Sequence, residues 1–276
     1  MASKEKSLSL FVLLMFGVFQ GLLFFKAGAV TPNSVIQEAA ESHALLAWKA
    51  SLEKHSLLHS WSFHNNNATS GESKRNTPCI WFGITCNAAG RVKEINLFSA
   101  SLKGKLENLS FSSFPDLTIL NLSSNALHGT VPTHIGYLTK LSILDLSMNQ
   151  FFSDLPHSLG NLIKLTTMYI YKHSISGTIS QEIRYLRNFI KLDLSQNFLT
   201  GSIPLTLRSL TKLTTLSIHE NNISNSILQE MGNLKILIDL RMSYNLLTGS
   251  IPSTLGNLTK LATLYIGENK VSGFIP

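Results

Sequence analysis

The chain is short of charge and almost without cysteine. Lys, Arg, Asp and Glu make up 14% of its 276 residues, against about a quarter in an average soluble domain. Asn, Ser and Thr must therefore supply much of the polar surface. Only Cys79 and Cys86 are present, which excludes a disulfide-dense scaffold and a cysteine-rich metal site. The sequence contains no phosphate-cradling glycine loop, no His-Glu-x-x-His and no Gly-x-Ser-x-Gly, so no catalytic motif marks an enzyme. His55 and His59 stand four apart with no carboxylate beside them and read as solvated residues rather than zinc ligands. The formal charge is +7, but its Lys and Arg are spread without clusters, against nucleic acid or a membrane surface as partner. Neither metal nor cofactor is expected. After residue 25 no apolar run approaches the length of a membrane span.

What the chain has in abundance is self-similarity. Leu117, Leu141, Leu165, Phe189, Leu213, Leu237 and Leu261 open segments spaced 24 residues apart without a gap. The segment from Leu117 continues through Leu120, Leu122, Asn125, Leu127, Gly129, Val131, Pro132, Ile135, Gly136 and Leu138. A degenerate first unit carries Val92, Ile95, Leu97 and Gly104. A fixed period of this length predicts a solenoid, which buries its core between neighbouring coils. Alternation at Leu120-Asn121-Leu122 has period two and predicts a short strand with one face inward. Stacking one strand per coil gives a parallel sheet.

The Asn that follows each strand both donates and accepts, so it can tie backbone groups of adjacent coils. The column reads Asn125, Asn149, His173, Asn197, Asn221, Asn245, Asn269. His173 is the departure, and an imidazole is expected to make part of the same ladder. Each unit then runs Leu-x-Gly-x-Ile-Pro. Gly129, Gly177, Gly201, Gly249 and Gly273 permit backbone shapes closed to other residues, with Ser153 and Asn225 in their place twice. Pro132, Pro156, Pro204, Pro252 and Pro276 suit an edge or turn, with Ser180 and Leu228 as substitutes. Leu159-Gly160-Asn161-Leu162 is expected to turn the chain back through a short helical turn. This half-unit resembles the plant-type leucine-rich repeat, over about residues 92–276.

The start of the chain predicts export. Lys4 and Lys6 precede an apolar run from Leu8 to Phe25, and Ala27-Gly28-Ala29 follows. That is the pattern of a secretory signal peptide, with cleavage expected after Ala29. In a secreted chain a close cysteine pair predicts a Cys79–Cys86 disulfide. Ala44, Trp48 and Leu52 share one helical face by i, i+4 spacing. Tryptophan and the disulfide would then cover the apolar end of the first coil, as solenoids require. The polar insertion from Asn65 to Thr77 reads as a loop.

Ala44-Leu45-Leu46-x-Trp48-Lys49-x-Ser51-Leu52, then Ser60-Trp61, then Cys79-Ile80-Trp81-Phe82-Gly83-Ile84-Thr85-Cys86 looks like the N-terminal cap of plant leucine-rich-repeat proteins. With leader and repeats, the chain is similar to the outer part of plant leucine-rich-repeat receptor-like kinases. The resemblance implies an α/β solenoid, a right-handed superhelix with a parallel sheet on its concave face and a helical, disulfide-bonded cap. It implies three segments: a signal peptide at 1–29, the cap at 30–91 and repeats at 92–276, the last incomplete. Its implied partners are an extracellular peptide or protein ligand and a smaller co-receptor of the same repeat type. Its implied location is the extracellular or cell-surface side of the plasma membrane. The alternative is a secreted leucine-rich-repeat protein that inhibits microbial wall-degrading enzymes. The sequence ends inside the eighth unit without a cap or a kinase signature, and is read as a fragment of a longer receptor.

A ligand is expected on the concave strand positions. The common unit places Asp and Ser there, as at Asp145-Leu146-Ser147 and Asp193-Leu194-Ser195. Departures from that pattern are the candidate binding residues: Tyr169, Tyr171 and Lys172, then His219 and Glu220, then Arg241 and Tyr244, then Tyr265 and Glu268. Tyr and Arg provide contact area and directional hydrogen bonds and are enriched at binding hot spots. Seven strand steps of about 4.8 Å give room for about ten residues of extended peptide. Five Asn-x-Ser/Thr sites, Asn67, Asn108, Asn121, Asn222 and Asn257, are glycan acceptor candidates. Asn121 lies between Leu120 and Leu122, so a glycan there would close part of the concave face.

Overall fold

A computed structural model of the chain describes residues 32–63 and 77–274. The expected signal peptide, Asn67 and most of the polar insertion in the cap lie outside the described residues.

Among the described residues, one short strand per coil and one from the cap build a nine-stranded sheet. From Val92–Asn96 onward its strands are Ile119–Asn121, Ile143–Asp145, Thr167–Tyr169, Lys191–Asp193, Thr215–Ser217, Asp239–Arg241 and Thr263–Tyr265, all parallel. The register repeats the sequence period, so Leu120, Leu144, Met168, Leu192, Leu216, Leu240 and Leu264 face one another in a single row. The parallel expectation holds for the repeats. The ninth strand, Ile84–Cys86, comes from the cap and pairs antiparallel with Val92–Asn96. It caps the sheet edge with backbone bonds, which a tight connection permits only in the antiparallel sense. Coil-on-coil stacking is what buries the core. Leu216 and Leu240 are 0% exposed between two neighbours, whereas Leu264, in the last described coil, is 40% exposed.

The asparagine ladder forms as expected. Asn125 Nδ2 donates to the carbonyls of Leu97 at 2.8 Å and Leu122 at 2.9 Å, and its Oδ1 accepts from Leu102 N–H at 2.9 Å. Asn149, Asn197, Asn221, Asn245 and Asn269 repeat the pattern. His173 does not. It keeps the buried place, but neither ring nitrogen has a hydrogen-bond partner. The ring packs on Phe151 instead, centroids 5.4 Å apart. An imidazole nitrogen lacks the paired N–H groups and adjacent oxygen that let one amide serve both coils.

The Leu-x-Gly half-units form short lateral strands, in sheets of four and three. Gly129, Gly177, Gly201 and Gly249 have φ from +72° to +88°, and Ser153 and Asn225 take the same conformation at +68° and +66°. A side chain there crowds the following carbonyl and costs about 1–2 kcal/mol, less for Asn. Ser153→Gly should therefore raise stability by about 1 kcal/mol in urea titrations, and Asn225→Gly by less. A loss of stability at Ser153 would refute that reading. Pro132, Pro156, Pro204 and Pro252 then hold extended backbone before five-residue 3₁₀ turns, including His157–Asn161, so the expected helical turn is present.

The cap is an α-helix, Pro32–Ser51, that buries Ala44, Leu45 and Trp48 along one face. Trp48 Nε1 donates to Lys105 O at 2.9 Å and Trp61 Nε1 to Phe82 O at 2.9 Å. Rings of Trp48, Trp61 and Trp81 follow one another at 6.3 and 5.8 Å. The Cys79–Cys86 bond ties the 3₁₀ turn Pro78–Ile80 to the antiparallel edge strand. Closing so short a loop restricts the unfolded chain by about 2–3 kcal/mol. Reductant should therefore lower the melting temperature; an unchanged value would show that the bond does not hold the cap. Beneath it lies a feature with no periodic signal. Glu41 is fully buried, accepts from Val92 N–H at 3.0 Å and pairs with Arg91 at 3.0 Å.

Candidate functional site

From Ile119–Asn121 onward the concave strands are only three residues long, so few of the candidate residues lie within them. Tyr169, Arg241 and Tyr265 each end a strand. Tyr171 and His219 follow two positions later on the same face. Lys172, Glu220, Tyr244 and Glu268 occupy the next position, where the chain turns out of the sheet. There every coil takes the left-handed conformation: Ser124, Met148, Lys172, Gln196, Glu220, Tyr244 and Glu268 have φ between +53° and +62°. The strain is offset by a hydrogen bond to the next coil, as in Lys172 N–H to Ser195 O at 3.1 Å and Tyr244 N–H to Gly267 O at 3.0 Å. This fixed turn presents one side chain per coil beside the strand row, exposed at Met148, Lys172, Glu220, Tyr244 and Glu268 and partly exposed at Ser124 and Gln196. No glycine marks it in any of these coils.

Register places Asn121, Asp145, Tyr169, Asp193, Ser217, Arg241 and Tyr265 side by side. Tyr169 is half-buried between two aspartates, and its ring meets that of Tyr171 edge-on with centroids 6.5 Å apart. Burial, then Asp145 and Asp193, push the Tyr169 phenol up, so it stays a hydrogen-bond donor. His219 Nδ1 lies 2.8 Å from Ser217 Oγ, and Glu220 accepts from Gln196 at 3.1 Å. Arg241 grips both oxygens of Asp239 through Nε at 3.0 Å and stacks over Tyr265 at 5.7 Å. Its bond to Asp239 raises the guanidinium pKa further. Tyr244 and Tyr265 are more than half exposed. The structure thus gathers the candidates into one strip from Tyr169 to Tyr265, four strand steps or about 19 Å long.

The frame serines behave differently from the expectation that they face solvent. Ser147 and Ser195 are buried. Each donates its hydroxyl to the Oδ1 of the Asp two residues earlier, at 2.6 Å, and its N–H goes to the same oxygen. Asp145 and Asp193, by contrast, are partly exposed on the face. Residue type alone did not separate the two.

Among the glycan acceptor candidates, Asn108, Asn222 and Asn257 are exposed. Asn121 is half-buried, its Oδ1 accepting from Ser123 N–H at 3.1 Å and Ser123 Oγ at 2.7 Å.

A Ser-His-carboxylate group does occur, on the 3₁₀ side of the fourth coil, but it is a cap. Ser180 Oγ donates to Glu182 and accepts from Glu182 N–H, while His157 Nδ1 lies 3.1 Å from both side chains. The Ser180 bond chiefly, with the backbone and His157, holds the Glu182 carboxyl down to about 2. Its hydroxyl proton is committed to the acid, not to the imidazole that would have to take it. Among the described residues no three His, Cys, Asp or Glu side chains meet as a metal site. Among the same residues no helix is long and apolar enough to cross a membrane.

A family model described as "Leucine-rich repeat region" matches residues 91–274, and one described as "Leucine rich repeat N-terminal domain" matches residues 38–87. A "Probable leucine-rich repeat receptor-like protein kinase" of Arabidopsis thaliana is 39% identical over 118 residues, 43% of this chain and 10% of that protein. Among solved structures, the PEPR1 chain in complex with AtPEP1 is similar with a TM-score of 0.77 and 31% identity, covering 84% of this chain and 32% of that one. The Arabidopsis receptor kinase HAESA, in complex with the peptide hormone IDA and the co-receptor SERK1, is similar with a TM-score of 0.69 and 30% identity. That match covers 86% of this chain and 43% of the HAESA chain. The chain therefore spans less than half of each of these proteins.

Proposed function

Because this chain belongs to the leucine-rich repeat family, we propose that it is the ligand-recognising outer part of a plant receptor-like kinase and binds an extended extracellular peptide. One observation carries the reading. Tyr169, Tyr171, His219, Arg241 and Tyr265 line a single face of registered strands, with Lys172, Glu220, Tyr244 and Glu268 beside them in the left-handed column. The strip lies along an open sheet face. It suits a chain that lies across the strands, about six residues long at 3.3 Å per residue. The similarity to PEPR1 and HAESA supports a peptide rather than a sugar or a lipid. The HAESA–SERK1 pairing supports a second, smaller leucine-rich-repeat protein as co-receptor.

The test is selection from a random decapeptide library on the secreted chain. Tyr169→Ala with Tyr171→Ala should weaken the selected peptides at least tenfold, the scale of a hot-spot loss. Thr215→Ala and Thr263→Ala, on the same face, should change little. Equal effects from both pairs would sink the strip. Glycopeptide mass spectrometry should also find Asn67, Asn108, Asn222 and Asn257 modified more readily than Asn121, which is half-buried in the strand row. A fully occupied Asn121 would mean that the concave face is partly closed.

A further inference from the structure

We propose that Asp145, Tyr169 and Asp193 form a subsite for a basic side chain, guanidinium or ammonium, on the bound peptide. This rests on the peptide reading above and names the chemistry that the face selects. Its first support is charge segregation. The chain carries a formal +7, yet the concave strands and their left-handed column hold an excess of acid. Glu94, Asp145, Asp193, Glu220, Asp239 and Glu268 stand there against Lys93, Lys172, Lys191 and Arg241. Arg241 is already neutralised by Asp239.

The second support is local. Register sets Asp145 and Asp193 on the strands either side of Tyr169, about 5 Å away each. Among the described residues no ion pair engages either carboxylate. The Tyr169 ring between them is partly exposed and braced by Tyr171. An aromatic floor between two unpaired carboxylates attracts a cation through both the ring quadrupole and the charges. An acidic side chain is repelled at the same place. Lys191 lies on the Asp193 strand, two residues earlier and facing the same way, exposed and without an ion pair. It competes for Asp193, so its removal should help a basic ligand.

The chain itself supplies a clean substitution. Asn121 makes the same two bonds to Ser123 that Asp145 makes to Ser147. Asp145→Asn with Asp193→Asn therefore removes charge while keeping the turn. The probe is a decapeptide library with a central position fixed as Arg, Lys, Gln or Glu, titrated at low and high salt.

Arg or Lys peptides should bind at least tenfold tighter than their Gln counterparts, with the ratio shrinking in salt. The double Asn variant should abolish that ratio while leaving Gln-peptide affinity and melting temperature unchanged, and Lys191→Gln should widen it. Peptides that bind without basic preference, or a preference that survives the double variant, would overturn the subsite and leave peptide recognition standing. A preference for Glu would overturn it in favour of Lys172 and Lys191. No binding by any of the four sets would overturn both readings.

Discussion

Glu41→Ala should destabilise the fold by about 3–5 kcal/mol, the cost of leaving one half of a buried ion pair. The carboxylate is fully buried and serves two donors, Arg91 Nε and Val92 N–H, each at 3.0 Å. Without it Val92 N–H loses its acceptor at the first strand of the repeats. The Arg91 guanidinium would retain only Asp116 at 3.6 Å, too long for a hydrogen bond, and one of its terminal nitrogens already lacks a partner. The damage should spread, because this contact is where the helix meets the first coil. Asp116 in turn binds Lys140 at 2.5 Å one coil further on.

Glu41→Gln should behave differently. Burial pushes the Glu41 carboxyl up despite its bonds to Val92 and Arg91. The charge is therefore only partly compensated, and a neutral amide that still accepts from Val92 should cost about 1 kcal/mol or less. A raised carboxyl pKa also fixes the sign with pH. This group contributes most below its ordinary value of 4.5 and the contribution is lost as pH rises through the folded value. Equal losses for the Ala and Gln variants in urea titrations would show that packing, not the acceptor, holds the cap.

What was legible in the sequence was whatever repeats. The 24-residue frame fixed the strand row, the parallel register and the asparagine ladder, because each coil's burial depends on an identical neighbour. The Trp48 face was legible from helical spacing. What escaped is pairwise or conformational. Glu41 and Arg91 are 50 residues apart and obey no period. The left-handed column takes one backbone conformation at seven positions held by Ser, Met, Lys, Gln, Glu and Tyr, with no glycine to mark it. The candidate residues stand out as departures from the frame. Asp145 and Asp193 belong to the frame itself, and their place beside Tyr169 follows only from register. Even the buried serines follow from a turn, in which hydroxyl and N–H converge on one aspartate oxygen.

His173 shows the opposite case, a break in the frame that the sequence located and physical chemistry must explain. His173→Asn should stabilise the protein by about 2–3 kcal/mol at neutral pH. It restores an amide that can donate to two coils and accept from a third group, where the present ring leaves two buried nitrogens unpaired. The gain should grow in acid. Burial lowers the imidazole from 6.5 to about 4, and the carbonyls of Asn149 and Leu146 offset only part of that without closing a hydrogen bond. A depressed folded pKa means the unfolded chain binds the proton first. Stability is therefore complete above about 6.5 and lost as pH falls towards about 4, by about 3 kcal/mol in all. Urea titrations at pH 7.5 and 4.5 should show this acid-dependent loss in the natural chain and a smaller one in the Asn variant. If both chains lost the same stability between the two pH values, His173 would not be the group that titrates. If Asn were less stable at pH 7.5, the contact with Phe151 would outweigh the missing hydrogen bonds, and the departure would be a packing choice rather than a defect in the ladder.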